Sequence, residues 1–349
     1  LIARLGRVFI PVLAASALLA PVAGAEAPAG PRLAFVRVND AKLELVTTDP
    51  SGSAPQVIAG GEESEQPLPF IFSPPSWSAD GSRVAFAGIS DLGDEPRTDI
   101  YLAGADGSDL VKVPGTRDGL YPILSPDGQT IAFARERKEQ LRPRRGRVPV
   151  LGSMSVWLAN LDGGEPRQLT PWRYGVFRTP SSFSPDGSTL AISLDTRTRH
   201  LAIALSLVGA GRKIIARNAG DPVYSPDGGR VALITIGRAR SFEDKHGKRT
   251  FTPTELAVAN ADGSGMERLT ATAGALEIHP SWDASGERLA YTQLRIHGGE
   301  ATALGIGDSL MEVNADGSCR HRILSIRGTI LFGASWQPGP GREAGPISC

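Results

Sequence analysis

Cysteine is nearly absent from this chain of 349 residues: there are two, Cys319 and Cys349, alongside three methionines and five histidines. Neither cysteine has a C-x-x-C partner or a histidine at zinc-ligand spacing, which excludes the common structural metal clusters. An excess of charge of either sign is also missing, since Lys plus Arg number 37 and Asp plus Glu number 37. That balance leaves no long-range field to steer the molecule to nucleic acid or to an anionic membrane. There is no G-x-S-x-G elbow, no HExxH, no G-x-x-x-x-G-K-[ST] and no N-x-[ST] acceptor. Nor does any apolar run reach the roughly 20 residues that a membrane-spanning helix needs.

What is present starts with a leader pattern. Arg4 and Arg7 precede an apolar run over 8–22, which ends in Ala23-Gly24-Ala25. A basic start, a short apolar stretch and an A-x-A ending predict a signal peptide over 1–25 and an exported protein, periplasmic or extracellular. In such a compartment Cys319 and Cys349 can pair, and the tail over 339–349 is long enough to carry Cys349 back to the turn that holds Cys319.

The body of the chain repeats itself. "WSADG" at 77–81, "LSPDG" at 124–128, "FSPDG" at 183–187, "YSPDG" at 224–228 and "WDASG" at 282–286 each precede a short alternating segment, such as "RVAFAG" from Arg83 or "RVALIT" from Arg230. Alternation bounded by Pro and Gly is a strand signal, and Asp-Gly supplies the turn of a hairpin. A second phrase follows, for example "ELAVANADGSGMERLT" from Glu255, which adds another hairpin. Two hairpins per repeat make four strands, the unit of a propeller blade. The N-terminal "RLAFVRV" and "LELVTTDPSGSAPQVI" supply three strands, and "GASWQP" at 333–338 supplies the fourth. The expected fold is therefore all-β: a six-bladed β-propeller over 26–338, closed by a C-terminal strand joining the N-terminal blade.

These phrases resemble the WD-type repeat of TolB-like six-bladed propellers. Here the repeat begins a few residues after the leader pattern, without the α/β domain that precedes the propeller in TolB itself. The resemblance implies the fold, a rigid six-bladed ring; the residues themselves give no sign of a catalytic domain, cofactor or metal. Loops such as "NADGS" at 260–264 lack the further acidic ligands of a calcium site.

Two sets of candidate site residues follow. Tyr121, Arg178, Thr179, Asp221, Glu277 and His279 are expected just before the innermost strands, where the repeat places one mouth of the central channel. Longer connections lie over 135–150, 237–251 and 295–308 and are read as loops on that same face. The first is strongly basic, with Arg142, Arg144, Arg145 and Arg147 crowded together. The expectation is a non-enzymatic, monomeric module that engages a protein or an anionic envelope component through the loop-bearing face. The alternative is a hydrolase or lyase with a metal or acid–base site at the mouth, built from Tyr121, Asp221, Glu277 and His279.

Overall fold

The computed structural model describes residues 30–39, 42–60, 68–69, 73–91, 97–140, 150–244, 247–295, 309–326, 329–339 and 345–349. The leader pattern, Arg142, Arg144, Arg145 and Arg147, and 296–308 lie outside the described residues.

The described residues form six antiparallel blades and contain no helix. Blade one pairs Ile330–Trp336, innermost, with Leu33–Asn39, Lys42–Thr48 and Gln56–Gly60. The C-terminal strand thus completes the N-terminal blade and closes the ring. In blade two the innermost strand is split into Leu68–Pro69 and Ser76–Trp77, which both pair with Arg83–Asp91. Pro69, Pro74 and Pro75 explain the split, because proline donates no hydrogen bond to a ladder.

Blade three runs outward from Gly119–Leu124 through Thr130–Gln140 and Val150–Asn160 to Arg167–Gln168. Blades four, five and six begin at Phe177–Phe183, Ala219–Tyr224 and Ala275–Trp282. Buried apolar residues gather where blades face each other. Phe86 and Trp77 of blade two pack with Leu45 and Ile58 of blade one, and Trp282 and Tyr291 of blade six pack with Leu256 of blade five. The core is thus divided among the blade interfaces.

The repeated turn explains itself at atomic level. In blade three the Ser125 hydroxyl donates to Asp127 Oδ1 at 2.5 Å, Asp127 accepts the Gln129 amide, and Ser125 Oγ accepts the Thr130 amide. "WDASG" keeps this pattern with the roles exchanged: Ser285 donates to Asp283, whose Oδ1 accepts the amides of Glu287 and Arg288. The Pro of one turn lies against the Gly of the next, since a Cβ on Gly228 would come within 3.2 Å of Pro185 and one on Gly286 within 3.4 Å of Pro226. From blade three to blade six, successive turns pack on one another in this way.

The described parts of two of the predicted loops prove to be paired strands. In blade three the second and third strands stay in register from Thr130↔Asn160 to Gln140↔Val150. In blade five, Arg240–Asp244 and Gly247–Phe251 form a hairpin of their own. No Pro or Gly interrupts 130–140, so the backbone ladder continues past the last buried side chain. Polar composition hides such strands, because the ladder is a property of the backbone and the alternation signal comes from burial.

Candidate functional site

The innermost strands surround a cavity of about 650 Å³ along the central channel. Tyr121, Thr179, Asp221 and His279, within these strands, line one end of it; Pro126, Pro185 and Pro226, in the turns that follow, line the other. Between the two ends the wall is largely apolar, with Ile123, Phe183, Val223, Tyr224 and Trp282 among its residues.

The mouth depends on an irregular backbone. Tyr121, Asp221 and His279 have φ of 54°, 49° and 53°, each immediately before a proline. The ladders of blades three, five and six shift register at or beside these residues. Left-handed geometry at a non-glycine residue costs on the order of 1 kcal/mol and persists where surrounding contacts enforce it. Here they do. The Tyr121 amide donates to Ser73 Oγ at 2.7 Å, the Asp221 amide donates to Ser193 Oγ at 2.7 Å, and the His279 amide donates to Asp221 Oδ2 at 3.2 Å.

Two of the predicted mouth residues do not line the cavity. Arg178 is buried beside it and donates to the carbonyl of Pro171 at 3.0 Å. Burial lowers its proton affinity, and the charges of Arg173 and Arg212 add to the effect. Glu277 is fully buried between blades five and six, where its carboxylate accepts from the Leu256 amide, Thr270 and Thr272, with Gln293 Nε2 at 3.3 Å. Ideal alternation would put Glu277 on the same face as His279. The register shift and left-handed turn at His279 break that alternation, sending the carboxylate into the blade interface and the imidazole to the channel.

The mouth is acidic. His279 Nε2 lies 4.0 Å from Asp221 Oδ2, and its ring meets Phe332 edge-on at 4.6 Å. Burial lowers the proton affinity of His279 and favours the neutral ring, and the charge of Asp221 opposes this without overcoming it. His279 Nδ1 is buried without a hydrogen-bond partner in this structure. Burial raises the Tyr121 hydroxyl, and the charges of Asp221, Asp195 and Glu136 raise it further. Asp195, paired with His200 Nδ1 at 2.7 Å, is also raised by burial, with Asp221 contributing. The Asp195–His200 pair was not among the sequence candidates. It sits at the far end of a second strand, and only the ring brings it near the mouth.

Both strand extensions leave from this face. Arg135 pairs with Gly119, at the mouth end of blade three, and the blade-five hairpin follows Ile236 beyond the pair Ala219↔Thr235. Arg135 anchors the foot of the blade-three arm: its guanidinium lies 4.4 Å from the ring centre of Trp157 and donates to the carbonyls of Gly115 and Arg117. At the opposite face Cys319 and Cys349 form a disulfide with a Cα–Cα distance of 5.0 Å, and Ile347 exchanges hydrogen bonds with the Asn314 side chain.

The class defined by fold and channel is the six-bladed β-propeller, with an architecture consistent with TolB-like propellers. Among solved structures the chain is similar to a protein assigned as TolB from Agrobacterium tumefaciens, at 15% identity and a TM-score of 0.56, over 88% of this chain and 98% of that one. It is similar to a chain of a nidogen–laminin complex at 13% identity and a TM-score of 0.59, over 88% and 98%. Hydrazine synthase from Kuenenia stuttgartiensis matches at 13% identity and a TM-score of 0.60, over 89% of this chain and 47% of that one. No family model matches the chain, and no curated protein matches it. These likenesses establish a shared fold.

Proposed function

We propose that the protein is an exported, non-enzymatic binding module that engages its partner through the face bearing the strand extensions, with the channel receiving part of that partner. One observation carries this reading: a cavity of about 650 Å³ runs along the central channel, and the ring that encloses it carries the blade-three arm and the blade-five hairpin on one face. Ligand sites are typically concave and mostly apolar, with a few convergent polar groups, and the channel has that composition. Export is supported by the leader pattern and by the disulfide, a bond that persists in oxidising compartments. The partner is a protein or an anionic envelope component, and Arg142, Arg144, Arg145 and Arg147 are its peripheral contacts. The test is affinity capture from an envelope extract. Neutralising the four arginines together weakens capture and its salt dependence, and Thr179→Trp, which fills the mouth, also weakens it. Equal capture by both variants would overturn the reading.

A second reading, a hydrolase or lyase, is favoured by the convergence of Tyr121, Asp221 and His279. Perturbed titratable groups held in strained geometry commonly mark acid–base sites. Turnover by the purified protein that is lost in both Asp221→Asn and His279→Gln would support it.

A further inference from the structure

The titratable residues that line the channel are Tyr121, Asp221, Tyr224, His279 and Asp283, and no lysine or arginine stands among the described lining residues. Asp283 is already occupied: it is fully buried and accepts the amides of its own turn and the Ser285 hydroxyl. Asp221 is in a different position. Its carboxylate receives the His279 amide and the longer contact from Ser193, and the nearest cationic candidate is the imidazole at 4.0 Å. Burial works against the charged form of that ring, so His279 does not cancel the charge of Asp221. Below Asp221 the cavity continues as apolar wall. A carboxylate at one end of a largely apolar cavity, with no lysine or arginine among the described lining residues, suits a positive group on an apolar body and repels an anion.

We infer that the channel takes an alkylammonium group, its nitrogen on Asp221 beside Tyr121 and His279 and its chain against Ile123, Phe183, Val223 and Tyr224. This rests on the reading of the channel as a binding cavity and names the chemistry it selects. The same ammonium can come from a free amine or from a lysine side chain of a partner protein. A lysine fits the proposed module, since its four-carbon stem lies against apolar surface while its head meets the carboxylate.

Calorimetric titration of the full chain with hexylammonium, 1-hexanol and hexanoate tests the inference. The expected order is hexylammonium tightest, hexanol weaker by about ten-fold and hexanoate weakest, because a charged hydrogen bond in a partly enclosed site contributes roughly 1.5–3 kcal/mol. Asp221→Asn, a residue type that tolerates the left-handed geometry, is expected to weaken hexylammonium by about ten-fold or more and to leave hexanol nearly unchanged. Hexanoate binding as tightly as hexylammonium to the wild type would overturn the inference, while the cavity reading would stand. If none of the three probes binds, the cavity reading fails as well. If Asp221→Asn does not fold, the comparison of the three probes on the wild type still decides. Competition of the captured envelope partner by hexylammonium identifies its lysine as the source; undisturbed capture beside tight hexylammonium binding assigns the site to a free amine.

Discussion

Tyr121, Asp221 and His279 reach the channel because their backbones leave the β region, whereas Arg178 and Glu277, close to them in the chain, are drawn into blade interfaces. At this scale the two groups behave differently on mutation. Glu277→Ala leaves the Thr270 and Thr272 hydroxyls without their carboxylate acceptor at a buried position, and is expected to cost about 3 kcal/mol in chemical denaturation while leaving channel binding intact. His279 carries a pH signature. Its folded proton affinity lies below the ordinary 6.5, so the unfolded chain binds the proton more readily and stability falls as pH drops below that value. His279→Gln is expected to flatten this part of the stability profile, as read from denaturant midpoints at pH 7 and pH 5.5.

Among the elements, the turns hold the acid sensitivity. Hydrogen bonds from serine hydroxyls are the largest cause holding Asp80, Asp127, Asp186 and Asp227 below the ordinary 3.8, and the same kind of bond holds Asp49 at about 2. For a depressed carboxylate the stabilisation is complete above the unfolded value and is lost as pH falls through the folded one. The ring is therefore expected to weaken progressively from the ordinary 3.8 towards about 2, and Ser225→Ala is expected to lessen the part of that loss due to Asp227. Thermal melts across that range check it. The outer turn of blade five is sensitive to size instead. A Cβ on Gly263 would lie 2.0 Å from the Ile215 carbonyl oxygen, whereas one on Gly128 would meet nothing within 4 Å. Both have positive φ, so Gly128→Ala should cost about 1 kcal/mol from backbone strain alone and Gly263→Ala distinctly more.

For the whole molecule, closure is the decisive feature. A chain ending at residue 329 lacks Ile330–Trp336 and leaves blade one open on its inner edge, so it is expected to lose cooperative unfolding. The disulfide is a separate contribution. It links residues 30 apart and lies outside the ladder, so Cys319→Ser with Cys349→Ser should lower stability by about 3 kcal/mol and leave the ring closed. Circular dichroism and the steepness of the thermal transition distinguish the two outcomes.

The blade number and the hairpin turns were legible in the sequence because each is local, and the closing strand because the N-terminal repeat is one strand short and the C-terminal one supplies it. Alternating burial, Asp-Gly turns and their repetition require no knowledge of distant contacts. Tyr121, Thr179, Asp221 and His279 could also be singled out, since each precedes a proline at the same point of its repeat. Tertiary structure decided which neighbours share their position: a register shift at His279 turned Glu277 away, and Arg178 alternated into the interface. The continuation of the blade-three arm to Gln140↔Val150 was equally hidden, because backbone pairing sustains a strand that has no buried face to announce it. The acidity of the channel belongs to the ring alone. Asp195, Asp221 and Tyr121 come from three different blades, and only closure brings their fields together.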